Sequence, residues 1–193
     1  MIIFLMGCHG VGKTTTINSL KLDLPLAKFT DVDLFYTKSF GCIDQLRRHS
    51  GFAKILEDLP TNINCIVDRS YLDHIVYGQV VVENQKEYDI VESSYLNTLN
   101  KIVPRLPPHI NIYVYDEQES IYTKIMQRSR KGMNEEDKTF MNNVITGYDS
   151  VYGYSHGWSV VRGIYADYTK YNIPAIMKVH ITDLEKTLFK LLV

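Results

Sequence analysis

Gly7, Gly12, Lys13 and Thr14 satisfy the spacing GxxxxGK[S/T] within the stretch MGCHGVGKTTT, directly after the apolar run Ile2 to Leu5. Glycines at these places let the backbone curl until successive N–H groups converge on one anion. The helix expected from Lys13 to Leu20 adds the positive end of its dipole. The chemistry so prepared is the binding of a nucleoside triphosphate, with His9, Gly10, Val11 and Gly12 around the phosphates and Thr15 beside Thr14. Lys13 would reach the β- and γ-phosphates, and the Thr14 hydroxyl would ligate Mg²⁺. The bland alternative is a Gly-rich turn with a surface lysine. A buried strand before the motif and a helix after it weigh against that alternative. His9 faces either the acceptor or solvent, and Cys8 reads as a small buried residue.

Two further stretches carry charge in useful places. Asp68 and Arg69 end an apolar strand, and in an open parallel sheet the carboxyl ends of strands face the ligand crevice. The planar fork of Arg69 suits an acceptor group or a transferring phosphoryl, and Asp68 suits Mg²⁺-bound water or a substrate hydroxyl. A strand-end ion pair capping the next helix is the competing reading. In KIMQRSRKGMNEED, Arg128 and Arg130 flank Ser129 on a polar, glycine-containing segment. This reads as a closing lid at about residues 128–138, whose arginines stabilise charge on a phosphoryl group while closure excludes water. A solvated helix end is the alternative there. No Asn-Lys-x-Asp tetrad for reading guanine occurs, and the chain is short for a motor.

These residues need a scaffold, and the chain's pattern supplies one. Its 193 residues, 45% hydrophobic and 22% charged, suit a single domain over 1–193 with a sizeable core. Apolar runs at Ile2 to Met6, Ile63 to Val67, Ile110 to Tyr115 and Ala175 to Ile181 read as buried strands. Helical spacing covers Asp44 to Leu59, Glu117 to Arg130 and Asp183 to Leu192, the last with Asp183 as N-cap. Alternating strands and helices predict an α/β fold, a P-loop three-layer sandwich. Its parallel sheet has about five strands, with helices on both faces and an Arg-bearing lid. A net charge of −1 leaves no global attraction for a polyanion. Three scattered cysteines form neither a disulfide framework nor a zinc site. No signal-peptide or membrane-spanning pattern is present, so the expectation is a cytoplasmic protein that contacts no membrane.

The order of phosphate loop, strand-end Asp-Arg-Ser and Arg-x-Arg lid followed by acidic residues resembles the deoxynucleoside kinase and thymidylate kinase superfamily, from Ile2 to about Tyr152. "DRS" and "RSR" match the deoxynucleoside kinase branch as they stand, and "FMNNVITGYDSVY" resembles the helix that both branches carry after the lid. Tyr77 occupies a place where thymidylate kinases have a tyrosine. Those enzymes have an acid in the loop where this chain has His9, and Arg-Glu-Pro where it has "FTDVDLFY". Both departures favour the nucleoside branch.

The resemblance implies transfer of the γ-phosphoryl of Mg·ATP to the 5'-hydroxyl of a nucleoside or deoxynucleoside. Asp33 or Asp31 would act as the acceptor carboxylate. Asp33 is preferred because Lys28 to Val32 reads as the short second strand. Phe35, Tyr36, Phe40, Gln45 and Tyr77 would wall the acceptor pocket, with an aromatic ring stacking on the base and Gln45 reading its edge.

A nucleoside monophosphate kinase of thymidylate kinase type remains an alternative. So does a kinase of nucleic-acid ends or modified bases, marked by a basic groove along Arg47, Arg48 and Arg105. An ATP-binding regulatory module is the non-enzyme alternative. The tyrosines around Trp158, between Tyr148 and Tyr171, read more simply as helical packing than as a nucleic-acid platform. A homodimer packed through helices is implied by the resemblance alone.

Overall fold

The apolar run at the start forms β1 (Ile2–Met6), with every side chain buried. A strand apolar on both faces belongs in the middle of a sheet covered on both sides. The computed structural model describes residues 1–23, 28–31, 42–60, 62–128, 137–153, 157–171 and 173–192. After β1 come α1 (Lys13–Asp23), β2 (Lys28–Asp31), α2 (Cys42–Glu57), β3 (Cys65–Asp68), α3 (Asp73–Val81) and α4 (Gln85–Ile102). Then follow β4 (His109–Tyr115), α5 (Gln118–Arg128), α6 (Lys138–Gly153), β5 (Trp158–Val161), β6 (Ile164–Asp167), β7 (Ile176–His180) and α7 (Ile181–Leu192).

The main sheet has five strands in the order β2-β3-β1-β4-β7, and each neighbouring pair is parallel. The chain leaves β1 for β2 and β3 on one side, then crosses to β4 and β7 on the other. The carboxyl end of β1 is therefore the switch point at which such sheets form their crevice. Helices α1 and α7 pack against each other, and α2, α3, α4 and α6 pack as a second group. This is the three-layer α/β sandwich that the alternation predicts.

Several boundaries and one region differ from expectation. Strand β3 starts at Cys65, because Ile63 is exposed and the Asn64 side chain accepts from the N-terminal amino group at 3.2 Å. Helix α7 starts at Ile181, so Asp183 lies in its first turn instead of capping it. The His180 ring takes the capping place, accepting from the Thr182 N–H at 3.4 Å. Helix α2 begins slightly early, at Cys42.

The expected helical packing of tyrosines beyond Gly153 is overturned. Residues Trp158–Val161 and Ile164–Asp167 form an antiparallel hairpin. Its Arg162-Gly163 turn has φ of 54° and 77°, the conformation that suits a two-residue hairpin loop. Side chains alternate exposed and buried along β5, a period of two that excludes a helix. Gln79 of α3 anchors the hairpin by donating to the carbonyls of Ser159 at 3.2 Å and Ile164 at 2.7 Å. Among the described residues no helix is long and apolar enough to cross a membrane.

Candidate active site

The loop between β1 and α1 takes its shape from its glycines. Gly7 has φ of 141°, and a Cβ on it would run into the carbonyl oxygen of Val114 on β4. Gly10 has φ of 78°, and its Cβ would lie 2.6 Å from Ile125 of α5. Only glycine fits both the backbone angle and the close approach at these positions. The loop is thereby clamped between β4 and α5.

Lys13, buried at the start of α1, folds back over the loop and donates to the carbonyls of Gly7 at 2.7 Å and Cys8 at 3.1 Å. Burial pushes its pKa below the ordinary lysine value, and the nearby Arg69 guanidinium adds to that effect. Arg69 reaches the same carbonyl: its Nη1 donates to Gly7 O at 3.1 Å, and its Nη2 lies 3.2 Å from His9 Nδ1. Two buried cations thus converge on one backbone oxygen. Arg69 has φ of 130°, a conformation that side chains rarely adopt, and such strain clusters where a site requires it.

Thr14 Oγ1 donates to Asp68 Oδ2 at 2.5 Å, so the first turn of α1 and the end of β3 meet. The other carboxylate oxygen, Asp68 Oδ1, is buried and has no hydrogen-bond partner among the described residues. A hydroxyl against a carboxylate with a spare buried oxygen fits Mg²⁺. The described residues hold no cluster of three or more His, Cys, Asp or Glu side chains, and Mg²⁺ needs none, because water and phosphate complete its shell.

A cleft of about 260 Å³ opens above this group. Its walls include His9, Gly10, Gly12, Thr15 and Arg128, so the structure brings the first arginine of the expected lid to the phosphate loop. The Val11 side chain is fully buried, so the contact with the phosphates expected of Val11 is one for its backbone N–H. Tyr77 on α3 is buried, edge-on to His9 at 5.6 Å and 5.9 Å from the Arg69 guanidinium carbon. Asp31 ends β2 directly opposite Asp68 in the strand register. Asp33, Phe35, Tyr36, Phe40 and Arg130, with most of the expected lid, lie outside the described residues.

Gln45, near the start of α2, is fully buried, and neither amide atom has a hydrogen-bond partner among the described residues. One turn on, both ring nitrogens of His49 share that condition, and the ring meets His74 edge-on at 4.7 Å and Tyr95 at 4.6 Å. Burial holds His49 neutral, with its pKa lowered to about 3. Arg47 and Arg48 lie on α2. Arg105 lies in the turn leading into β4, at the end of the sheet away from the phosphate loop.

Sequence reasoning missed Asn18, which lines the cleft one turn beyond Thr14. It also missed His49, His74 and Asp73. The spacing of Thr14 to Asn18 and of Gln45 to His49 is the i, i+4 relation that places two residues on one helix face, and it was available to find them.

No protein-family model matches the chain, and no curated protein matches it. Solved structures do. The fold is shared with solved structures of a nucleoside kinase. A structure of deoxyadenosine kinase from M. mycoides with products dCMP and a flexible dCDP bound is similar over 99% of this chain and 95% of its own, at 21% identity and a TM-score of 0.65. The same kinase with bound dCTP matches over 99% and 98%, at 19% identity and a TM-score of 0.66. With bound dATP it matches over 99% and 96%, at 19% identity and a TM-score of 0.60. The deoxynucleoside kinase resemblance and the three-layer fold expected from the sequence are borne out by these neighbours.

Proposed function

We propose that this protein is a kinase that transfers the γ-phosphoryl group of Mg·ATP to the 5'-hydroxyl of a deoxynucleoside or nucleoside. The observation that carries this reading is the convergence of Lys13 and Arg69 on the Gly7 carbonyl beside the Thr14–Asp68 pair. Both cations are buried on a neutral oxygen, so an arriving phosphate exchanges a weak acceptor for a charged one. The similar structures are deoxyadenosine kinases, and nucleotides bound to them supply the substrate class.

In this reading Lys13 holds the β- and γ-phosphates, and Arg69 and Arg128 stabilise charge on the group in transit. When bound, Mg²⁺ held by Thr14 and Asp68 would neutralise phosphate charge. Asp33, or Asp31 opposite Asp68, orients the acceptor hydroxyl. A carboxylate is a weak base at neutral pH, and a loose phosphoryl-transfer transition state asks little proton transfer of it until late. The unpartnered amide of Gln45, on the helix that leaves the carboxyl edge of the sheet, is a reader for the edge of a nucleobase. Positioning supplies most of the catalysis.

The test is ADP release by the purified protein with Mg·ATP against a panel of deoxynucleosides, ribonucleosides and their monophosphates, with Lys13→Ala as the blank. Nucleoside-dependent turnover is expected. Turnover with monophosphates alone would overturn the acceptor assignment in favour of a nucleotide kinase. No acceptor-dependent turnover would leave a nucleotide-binding module.

A further inference from the structure

We propose that Asp73 and Tyr148 are positioning residues that hold the Arg69 guanidinium against the phosphate loop and tie it to α6. The inference rests on the role of Arg69 in the proposed kinase site, and it begins with the backbone. At φ of 130° Arg69 sits in a costly conformation, about 1–3 kcal/mol for a non-glycine residue, which persists only when its surroundings over-determine it. Asp73 does so at two points. One carboxylate oxygen accepts the Ser70 N–H, pinning the peptide that follows Arg69. The other lies 3.7 Å from Arg69 Nη1, so one side chain restrains both the turn and the group that the turn presents.

Asp73 is itself held from another element. Tyr148 of α6, fully buried, donates its hydroxyl to Asp73 Oδ1. The Tyr148 ring is fixed by stacking on Tyr113 of β4, with centroids 5.6 Å apart and planes at 16°. Close approach of α6 to α3 depends on Gly147, where a Cβ would lie 2.8 Å from Val76. The chain of contacts therefore runs from α6 through Tyr148 and Asp73 to Arg69, and from Arg69 to Gly7 and His9.

Three donors converge on the Asp73 carboxyl: a backbone N–H, a phenol and a guanidinium. Three donors suit a carboxylate, which only accepts, better than a protonated acid. Burial raises the Asp73 pKa, and Arg69, Lys13 and the two hydrogen bonds limit that rise.

The experiment pairs Tyr148→Phe with Asp73→Asn and reads Arg69 directly. In the nucleotide-free protein labelled with ¹⁵N-arginine, the Arg69 guanidinium N–H, assigned with Arg69→Lys, is expected to exchange slowly. In both variants its exchange is expected to be about 10-fold faster or more. The kcat is expected to fall on the order of 10- to 100-fold, with the KM for ATP within about 3-fold. Adding Tyr148→Phe to Arg69→Lys should then cost less than about 3-fold, because the residue it acts through is already altered.

Tyr148→Phe with unchanged exchange and unchanged kcat overturns the proposal, even if the protein melts at a lower temperature. Should Asp73→Asn fail to fold, Tyr148→Phe, which keeps the stacked ring, decides. Should the wild type phosphorylate no acceptor, the kinase reading falls, and the exchange measurement still judges the positioning.

Discussion

The phosphate loop and the inner face of α2 both bury polar groups, and they treat them in opposite ways. In the loop, Lys13 is paired with the Gly7 and Cys8 carbonyls and Thr14 with Asp68. On α2, Gln45 and His49 are just as deeply buried, and none of their polar side-chain atoms has a partner among the described residues. The loop satisfies itself with its own backbone, which makes its pairs exchangeable for phosphate. The helix face carries unmet hydrogen-bonding capacity at about 1–3 kcal/mol per group, a cost explained by a ligand that meets it. In the proposed kinase reading, the phosphate loop would be the side that holds its shape without substrate, and the α2 face the side that a substrate completes.

The largest effect is expected at the self-paired side. Lys13→Ala removes the ammonium while Arg69 still covers the Gly7 carbonyl. Turnover should fall on the order of 10³-fold, as when a preorganised charge-stabilising donor is lost, and coupled ADP release checks it. The thermal midpoint should move little, because the Gly7 carbonyl keeps its Arg69 donor and only the Cys8 carbonyl loses the lysine. A large drop in midpoint would mean that the loop depends on Lys13 for its shape.

The smaller, sharper test is on α2. Gln45→Leu substitutes an apolar group of similar volume for an unpaired buried amide, so urea unfolding should show a gain of about 1–2 kcal/mol. The same change should lower kcat/KM for the best nucleoside on the order of 10²-fold and leave the KM for ATP unchanged. Stability that falls instead would mean that the amide is satisfied without ligand, and the contrast with the loop would be broken.

The same contrast marks what the sequence revealed. The loop was legible because its function is written in glycines and a fixed spacing, and backbone geometry follows from those directly. Strands β1 and β4 were legible because a strand buried on both faces is an unbroken apolar run. Helices α3 and α4 were not identified: α3 is buried nearly all round, and DHIVYGQVV shows no polar stripe to mark a helix. The hairpin was hidden because its turn is Arg-Gly, which lacks the Asn or Asp that usually signals such a loop. Asp68, Arg69 and Gln45 were singled out from position, whereas nothing in the sequence marks His49 or His74, which meet only where α2, α3 and α4 pack together. What makes His49 unusual, burial without hydrogen-bond partners among the described residues, belongs to tertiary structure alone.

The smallest effect tests whether His49 is held neutral in the folded protein. Its folded pKa of about 3 lies below the ordinary 6.5, because burial disfavours the imidazolium. Below pH 6.5 the unfolded chain binds a proton that the folded chain refuses, so stability falls as the pH drops and levels off only near pH 3. The slope is about 1.4 kcal/mol per pH unit once the unfolded histidine is protonated, which amounts to about 2 kcal/mol by pH 5. Above about pH 7.5 the group contributes no pH dependence. His74 is shifted in the same direction, by burial first and by His49 second, so it adds to the slope.

Urea unfolding of the wild type and His49→Phe between pH 5 and pH 7.5 isolates the histidine, since ordinary carboxylates titrate lower. The variant should be the less pH-dependent of the two, with the difference growing toward pH 5. Equal slopes would mean that His49 takes up its proton in the folded state, and that burial does not hold it neutral.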